Sequence, residues 1–312
     1  MNMTYIPVFL RFARKFIILI FLFFSIISTA QVASLFNNSR PKSMAQRWEL
    51  DTLNSSGTFV ITPYKPLYIL PVRWSSQPNG MPHSGNSDPG YKVEDNLNLN
   101  NLEAKFQISF KVKVVQGIFW GHGDIWAAYT QKSHWQIYNK SLSRPFRETN
   151  YEPEVLLNFA TNFKFFGFVN RMAGISINHQ SNGRNLPLSR SWNRVILHTG
   201  FESGNWQVYI RPWFRLPDQN NEDDNPDIVE YIGRGDATVI HAMGKNVLSL
   251  TASSNLSLNS HFKGYAEFSW SRNLSGNLRG YFQVTHGYGE TLIDYNNRQT
   301  TIGLGVSLVE WL

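Results

Sequence analysis

The sequence contains no cysteine. That excludes a disulfide framework, a thiolate metal site and a cysteine nucleophile. Charge is sparse as well, at 16% of 312 residues. The bases are scattered rather than run together, which excludes the clustered electrostatic footprint of a nucleic-acid partner. Long apolar runs are missing apart from Phe16–Ile27 (FIILIFLFFSII). Nothing after it is long enough for a membrane helix, which needs about 20 residues. What is abundant is aromatic: 14% of the chain, with 10 Trp, 13 Tyr and 22 Phe. A high aromatic load without long apolar runs suits a transmembrane barrel, whose rims carry aromatic girdles.

The one apolar run reads as an export signal. Arg11, Arg14 and Lys15 precede it, and Ser28-Thr29-Ala30 puts small residues at −3 and −1 of a cut before Gln31. Charge, length and cleavage chemistry are those of a signal peptide over 1–30. Removing those three bases from 29 leaves 26 against 22 acidic residues, a net charge of +4. Residues 31–100 are expected to be irregular. Pro71, Pro78, Pro82 and Pro89 fall there among Gly, Ser and Asn, a composition that breaks regular structure.

From 101 onward the period becomes two. Ala104, Phe106, Ile108, Phe110, Val112 and Val114 alternate with Lys105, Gln107, Ser109, Lys111 and Lys113. Trp206, Val208, Ile210, Pro212 and Phe214 alternate with Gln207, Tyr209, Arg211, Trp213 and Arg215. The stretches 264–271 and 278–285 behave alike, and Ile302, Leu304, Val306 and Leu308 place a closing strand near the Trp311-Leu312 end. Alternation over this length marks strands with one apolar and one polar face. Together with export it predicts an all-β fold, an antiparallel transmembrane β-barrel over 101–312, with room for a first strand before 101. Pro212 lacks a donor inside its strand, which predicts a local bulge.

The chemistry gathers in Ile175–Arg194 (ISINHQSNGRNLPLSRSWNR). His179 and Ser181 are two apart and share a strand face with Ala173, Ile175 and Ile177, whereas Ser176, Asn178 and Gln180 take the other. His179 and Ser181 therefore point outward, toward lipid. On the next strand Asn193 shares its face with Val195 and Leu197. Polar groups facing hydrocarbon are costly unless they pair with one another. Mutual pairing gives Ser181 as nucleophile, His179 as general base and Asn193 as the group that orients the imidazole. Gly183, two residues after the serine, offers a backbone N–H to an oxyanion. The acidic run Glu222–Asp227 reads as a solvated turn rather than a second cation site. Arg147 and Glu148 read as ion-pair partners, not catalytic groups.

Six blocks carry a family resemblance: Tyr129–Ser133 (YTQKS), Pro145–Pro153 (PFRETNYEP), His179–Arg184 (HQSNGR), Ser189–Arg194 (SRSWNR), Asp224–Asp227 (DNPD) and Gly287–Asn296 (GYGETLIDYN). In this order, from about 125 to the C-terminus, the chain resembles the outer membrane phospholipase A family. The resemblance implies a twelve-stranded barrel in the bacterial outer membrane that acts on membrane phospholipids. It implies His179, Ser181 and Asn193 as the triad and Gly183 as an oxyanion donor. It further implies calcium held by the Ser189 side chain and the Arg184 carbonyl, with the Ser143 carbonyl coming from a second copy. Gln131 would hydrogen-bond across that homodimer. By the same resemblance, Gln180 stands where that family carries an acidic residue. The alternatives from other classes are a passive pore or structural barrel, and a soluble exported lipase.

Overall fold

Lysines that alternate with Phe, Ile and Val must all point one way, and in this chain they point inward. The computed structural model describes residues 42–218, 222–257 and 261–309. The expected signal peptide and the Trp311-Leu312 end lie outside the described residues. The strands are β1 (Ile61–Pro63), β2 (Leu67–Ser75), β3 (Leu102–Val115), β4 (Asp124–Trp135), β5 (Glu148–Phe165), β6 (Phe168–Ser181) and β7 (Ser191–Ser203). They continue with β8 (Trp206–Leu216), β9 (Gly235–Met243), β10 (Asn246–Ser254), β11 (Gly264–Ser275), β12 (Leu278–Gly287) and β13 (Gln299–Val309). Each strand from β2 to β13 pairs antiparallel with its sequence neighbours, and β13 returns to β2, so twelve strands close into a barrel. The short β1 continues the line of β2 along β3.

The barrel is turned inside out relative to a water-soluble one. Lys105 is 0% exposed, whereas Ile177, Phe214 and Leu304 on the outer wall are 64%, 63% and 62% exposed. Leaving a large apolar side chain in water forgoes roughly 1.5–3 kcal/mol of burial. Ten such side chains, even half exposed, would forfeit about as much as the ~5–15 kcal/mol net stability of a domain. The outer wall is therefore solvated by hydrocarbon. Inside, charges are paired: Lys105 Nζ meets Glu290 Oε1 at 2.7 Å, and Arg73 meets Glu103 at 2.6 Å. The helix α1 (Met44–Trp48) lies against the inner wall. Met44 and Trp48 pack there with Trp126, Met172 and Tyr209, and Lys111 Nζ sits 4.7 Å from the Trp48 ring centroid.

Two expectations change. The barrel starts at Leu67, inside the segment expected to be irregular. Pro71 hides β2 in the sequence, because a register shift between Leu70 and Arg73 breaks the alternation. Tyr68, Leu70, Arg73 and Ser75 still turn inward. Pro212, in turn, makes no bulge. One register holds on both sides of β8, with Ile196↔Trp213 and Thr199↔Ile210 toward β7 and Pro212↔Gly235 toward β9. The missing N–H is accommodated by a ladder that thins opposite Arg211 and Pro212, rather than by an inserted residue.

Two-residue turns join β5 to β6, β7 to β8, β9 to β10 and β11 to β12, all at one end of the barrel. The other end carries the long connections, including the 182–190 loop and the 217–234 segment with its short helix α2 (Ile228–Ile232). The outer end of β6 and the start of β7 meet there.

Candidate active site

Register decides which outward side chains of β6 and β7 can touch. His179 stands opposite Asn193, and Ser181 opposite Ser191. His179 Nδ1 and Asn193 Oδ1 are 2.8 Å apart. With the proton on Nδ1 donated to that amide oxygen, Nε2 keeps its lone pair and is the basic nitrogen. His179 is exposed, and Asn193 and Ser181 are half-buried, all on the wall that carries Ile175 and Ile177. Ser181 follows His179 on the same face, opposite Tyr151 of β5, and its hydroxyl has no hydrogen-bond partner among the described residues. A serine–imidazole hydrogen bond that is long in the resting protein and tightens around substrate is ordinary for such sites.

The loop after Ser181 is tied by one residue. Asn182 Nδ2 donates to Leu188 O at 2.8 Å and to Glu148 Oε2 at 3.3 Å. Its Oδ1 accepts from Arg190 N at 3.0 Å and Arg184 N at 3.3 Å. The buried knot turns the chain sharply, and Gly183 takes φ +61, a left-handed conformation that glycine adopts without strain. A Cβ there would stand 3.1 Å from the Tyr151 ring. The Gly183 N–H is committed to no acceptor among the described residues.

Ser189 and Ser191 both donate to Asp224 Oδ2, at 2.8 and 3.1 Å. The acidic run is thus no solvated turn. Asp223 holds Arg215 at 2.6 Å, Asn225 Oδ1 accepts from Ser191 N, and Asp227 Oδ1 accepts from the Tyr295 hydroxyl. Residues 84–91 close over it: Ser84 Oγ donates to Asp224 O at 2.6 Å, and Tyr91 OH to Asp224 Oδ1 at 3.3 Å. Burial first, and then the bond to Asp227, push the Tyr295 hydroxyl far above its usual pKa. Alternation could not foretell this clasp, because its partners come from three separate loops.

No group of three or more His, Cys, Asp or Glu side chains is poised for a metal among the described residues. The set implied by the resemblance is of another kind, a hydroxyl and backbone carbonyls. Ser189 supplies a hard oxygen with the Asp224 carboxylate 2.8 Å from it. Oxygen donors beside a carboxylate fit calcium, which prefers about 6–8 oxygen ligands, some of them waters. The Arg184 backbone is held next to the Asn182 knot, and its guanidinium reaches Arg147 O at 3.3 Å. Ser143 O accepts from Trp135 Nε1 of its own chain at 2.8 Å, leaving its second lone pair for another donor or ion.

Among the remaining expected residues, Gln131 stands on the outer wall between Ile108 and Tyr151. It accepts from Tyr129 OH at 2.9 Å and donates to Ser133 Oγ at 3.2 Å. Gln180 turns to the lumen, where its Oε1 accepts from Trp192 Nε1 at 2.8 Å. Arg147 pairs with Glu103 at 2.8 Å and Asp294 at 3.1 Å. Burial opposes the Arg147 charge, but those carboxylates more than offset it and hold its pKa above the usual range. Glu148 differs from the expectation. Among the described residues it has no ion-pair partner, and it accepts from Asn150, Asn182 and the Ile293 N–H instead. Reading the sequence missed Asn182 as the loop's knot, although an Asn-Gly pair after a strand is a turn signal.

A closed barrel with hydroxyl, imidazole and amide aligned on its lipid-facing wall defines a class of membrane-embedded proteins, and comparison with known proteins narrows it. The phospholipase A1 family model matches residues 44–308. Phospholipase A1 of Escherichia coli (strain K12) is 44% identical over 211 residues, covering 68% of this chain and 71% of that protein. A putative phospholipase A1 of Neisseria meningitidis serogroup B is 37% identical over 267 residues, covering 83% of this chain and 68% of that protein. Among solved structures, outer membrane phospholipase A from Escherichia coli superposes with a TM-score of 0.72 at 38% identity, covering 81% of this chain and 100% of that one. The Salmonella typhi outer membrane phospholipase, solved as a dimer with bound calcium, gives a TM-score of 0.72 at 37% identity, covering 82% and 95%. The chain belongs to the phospholipase A1 family.

Proposed function

We propose that this chain is a calcium-dependent phospholipase of the bacterial outer membrane. It hydrolyses acyl ester bonds of phospholipids and lysophospholipids at either glycerol position, with Ser181, His179 and Asn193 as its triad. The observation that carries this reading is the 2.8 Å pairing of His179 with Asn193 on an apolar outer wall, beside an unpaired Ser181 hydroxyl. Nothing in folding requires an imidazole and an amide on a lipid-facing surface, where polar groups are costly. A substrate lying in the leaflet does require them there.

Ser181 Oγ attacks the acyl carbonyl while His179 Nε2 takes its proton. Asn193 Oδ1 holds the Nδ1–H and steadies the imidazolium without placing a carboxylate against lipid. The Gly183 N–H donates to the developing oxyanion. His179 returns the proton to the departing lysophospholipid oxygen, and water then releases the fatty acid from Ser181 by the same base. Ser189 Oγ, the Arg184 carbonyl and the Ser143 carbonyl of a second copy would hold calcium, which would supply positive charge to stabilise the oxyanion. Two copies pair through the wall that carries Gln131, so activity depends on dimerisation. Residues 1–30 are removed on export, and intact-mass measurement of the purified protein tests that cut.

A barrel interior filled by paired charges and α1 argues against the passive pore. The deciding experiment is fatty-acid release from mixed detergent–phospholipid micelles by refolded protein, with calcium or chelator. Release that needs calcium and vanishes in Ser181→Ala supports the reading. No release from a folded, dimeric wild type overturns it.

A further inference from the structure

The chain leaves β8 directly over the third member of the candidate triad. Asn193 stands opposite Leu216, the last residue of β8, and Asp218 follows two residues on. Asn193 Nδ2 donates to Asp218 Oδ1 at 3.3 Å, while Asn193 Oδ1 faces His179 Nδ1 at 2.8 Å. Each end of the amide thus has its own partner. Asp218 is itself held from behind: Arg215 Nη2 lies 3.9 Å from its other oxygen and 2.6 Å from Asp223 Oδ1. Arg215 Nη1 donates to Pro226 O at 2.9 Å, which ties the carboxylate to the clasp that also binds Ser189 and Ser191.

We propose that Asp218 is a positioning residue that locks the Asn193 amide with its oxygen toward His179. The inference rests on the phospholipase reading of the triad and adds a fourth group to it. An asparagine in the third position has a weakness that an aspartate lacks. Its oxygen and nitrogen are nearly the same size, and a flip would set an NH2 group against the imidazole N–H. An ionised carboxylate accepts hydrogen bonds and donates none, so it selects the orientation with Nδ2 toward itself. Asp218 also lends negative charge through the amide to the imidazolium, from a half-buried place at the loop end where water and Arg215 share the cost of that charge. The amide keeps the lipid-facing position neutral, and the charge sits one residue farther out.

The test compares wild type with Asp218→Ala, Asp218→Asn, Asn193→Asp and the pair Asp218→Ala/Asn193→Asp, all as refolded full-length protein in micelles with calcium. Asp218→Ala should lower kcat by ~10-fold with KM within about twofold, the scale expected for loss of an orienting bond in a general-base site. Asp218→Asn should lose less, because its carbonyl still accepts from Nδ2. Asn193→Asp should be less damaging with Ala at 218 than in the native background, where it faces a second carboxylate. A purely structural role for Asp218 predicts no such dependence. A second readout needs no turnover. The Asn193 side-chain amide protons should show one strongly hydrogen-bonded 15N-coupled resonance in wild type and in Ser181→Ala, absent in Asp218→Ala. A kcat within twofold of wild type, a loss confined to KM, or an unchanged amide resonance would overturn the proposal. If wild type releases no fatty acid, the phospholipase reading falls by itself, and the amide resonance still decides the role of Asp218.

Discussion

The two faces of the barrel wall hold polar groups under opposite rules. Inside, polarity is dense and mutually satisfied: Lys105 meets Glu290 and Gln283, Arg73 meets Glu103, and Arg194 reaches Asn178 and Glu152. Outside, between β6 and β7, His179, Ser181 and Asn193 stand among Ile175, Ile177, Val195 and Leu197. The inner charges hold a barrel together whose middle cannot be oily, since its oily side faces the bilayer. The outer three contribute nothing comparable to folding. Residues that folding does not need, on a surface that penalises them, are the ones to interrogate for chemistry.

That contrast can be broken by exchanging the consequences of mutation. The largest effect belongs to Ser181→Ala, which should reduce fatty-acid release by at least ~10³-fold, as loss of a triad nucleophile does elsewhere. Its midpoint of unfolding in urea should not move. Asn193→Ala comes next, with an expected loss in kcat of about 10²-fold, because the imidazole then loses its tautomer and orientation. The inner wall should answer in the other currency. Glu290→Ala leaves the buried Lys105 ammonium with Gln283 but without its carboxylate, at an expected cost of about 3–5 kcal/mol in unfolding free energy. Its kcat at a temperature where it stays folded should remain within a few-fold of wild type. The smallest effect is that of Gln180→Glu. A carboxylate still accepts from Trp192 Nε1 in the lumen, so activity should change by less than about twofold. A large loss of activity there would blur the distinction between the two faces.

Much of this arrangement could be read from the chain itself. Strict alternation in β3, β8, β11 and β12 gave strands, faces and, through Ile175–Arg194, the outward aim of His179 and Ser181. A period of two survives only where register is regular, and that is why β2 escaped. Pro71 and the shift beside it scramble the pattern over a few residues, although Tyr68, Leu70, Arg73 and Ser75 still turn inward. Contacts set by loops were beyond reach for a different reason. Asp218 lies 25 residues from Asn193 and meets it because β8 ends where β7 begins. The acidic run looked solvated because its partners, Ser84, Tyr91, Ser189 and Tyr295, come from loops that no periodicity connects. The expected calcium ligands are backbone carbonyls and serines, which leave no mark in composition or spacing.

Covalent labelling asks most directly whether Ser181, on the lipid-facing wall, is the nucleophile. Refolded protein would be treated with a long-chain alkyl sulfonyl fluoride in mixed micelles and the adduct located by mass spectrometry. A single adduct is expected on Ser181, and it should fail to form in His179→Ala, where the hydroxyl has no base. An adduct on another residue, or none in protein that releases fatty acid under the same conditions, would contradict it.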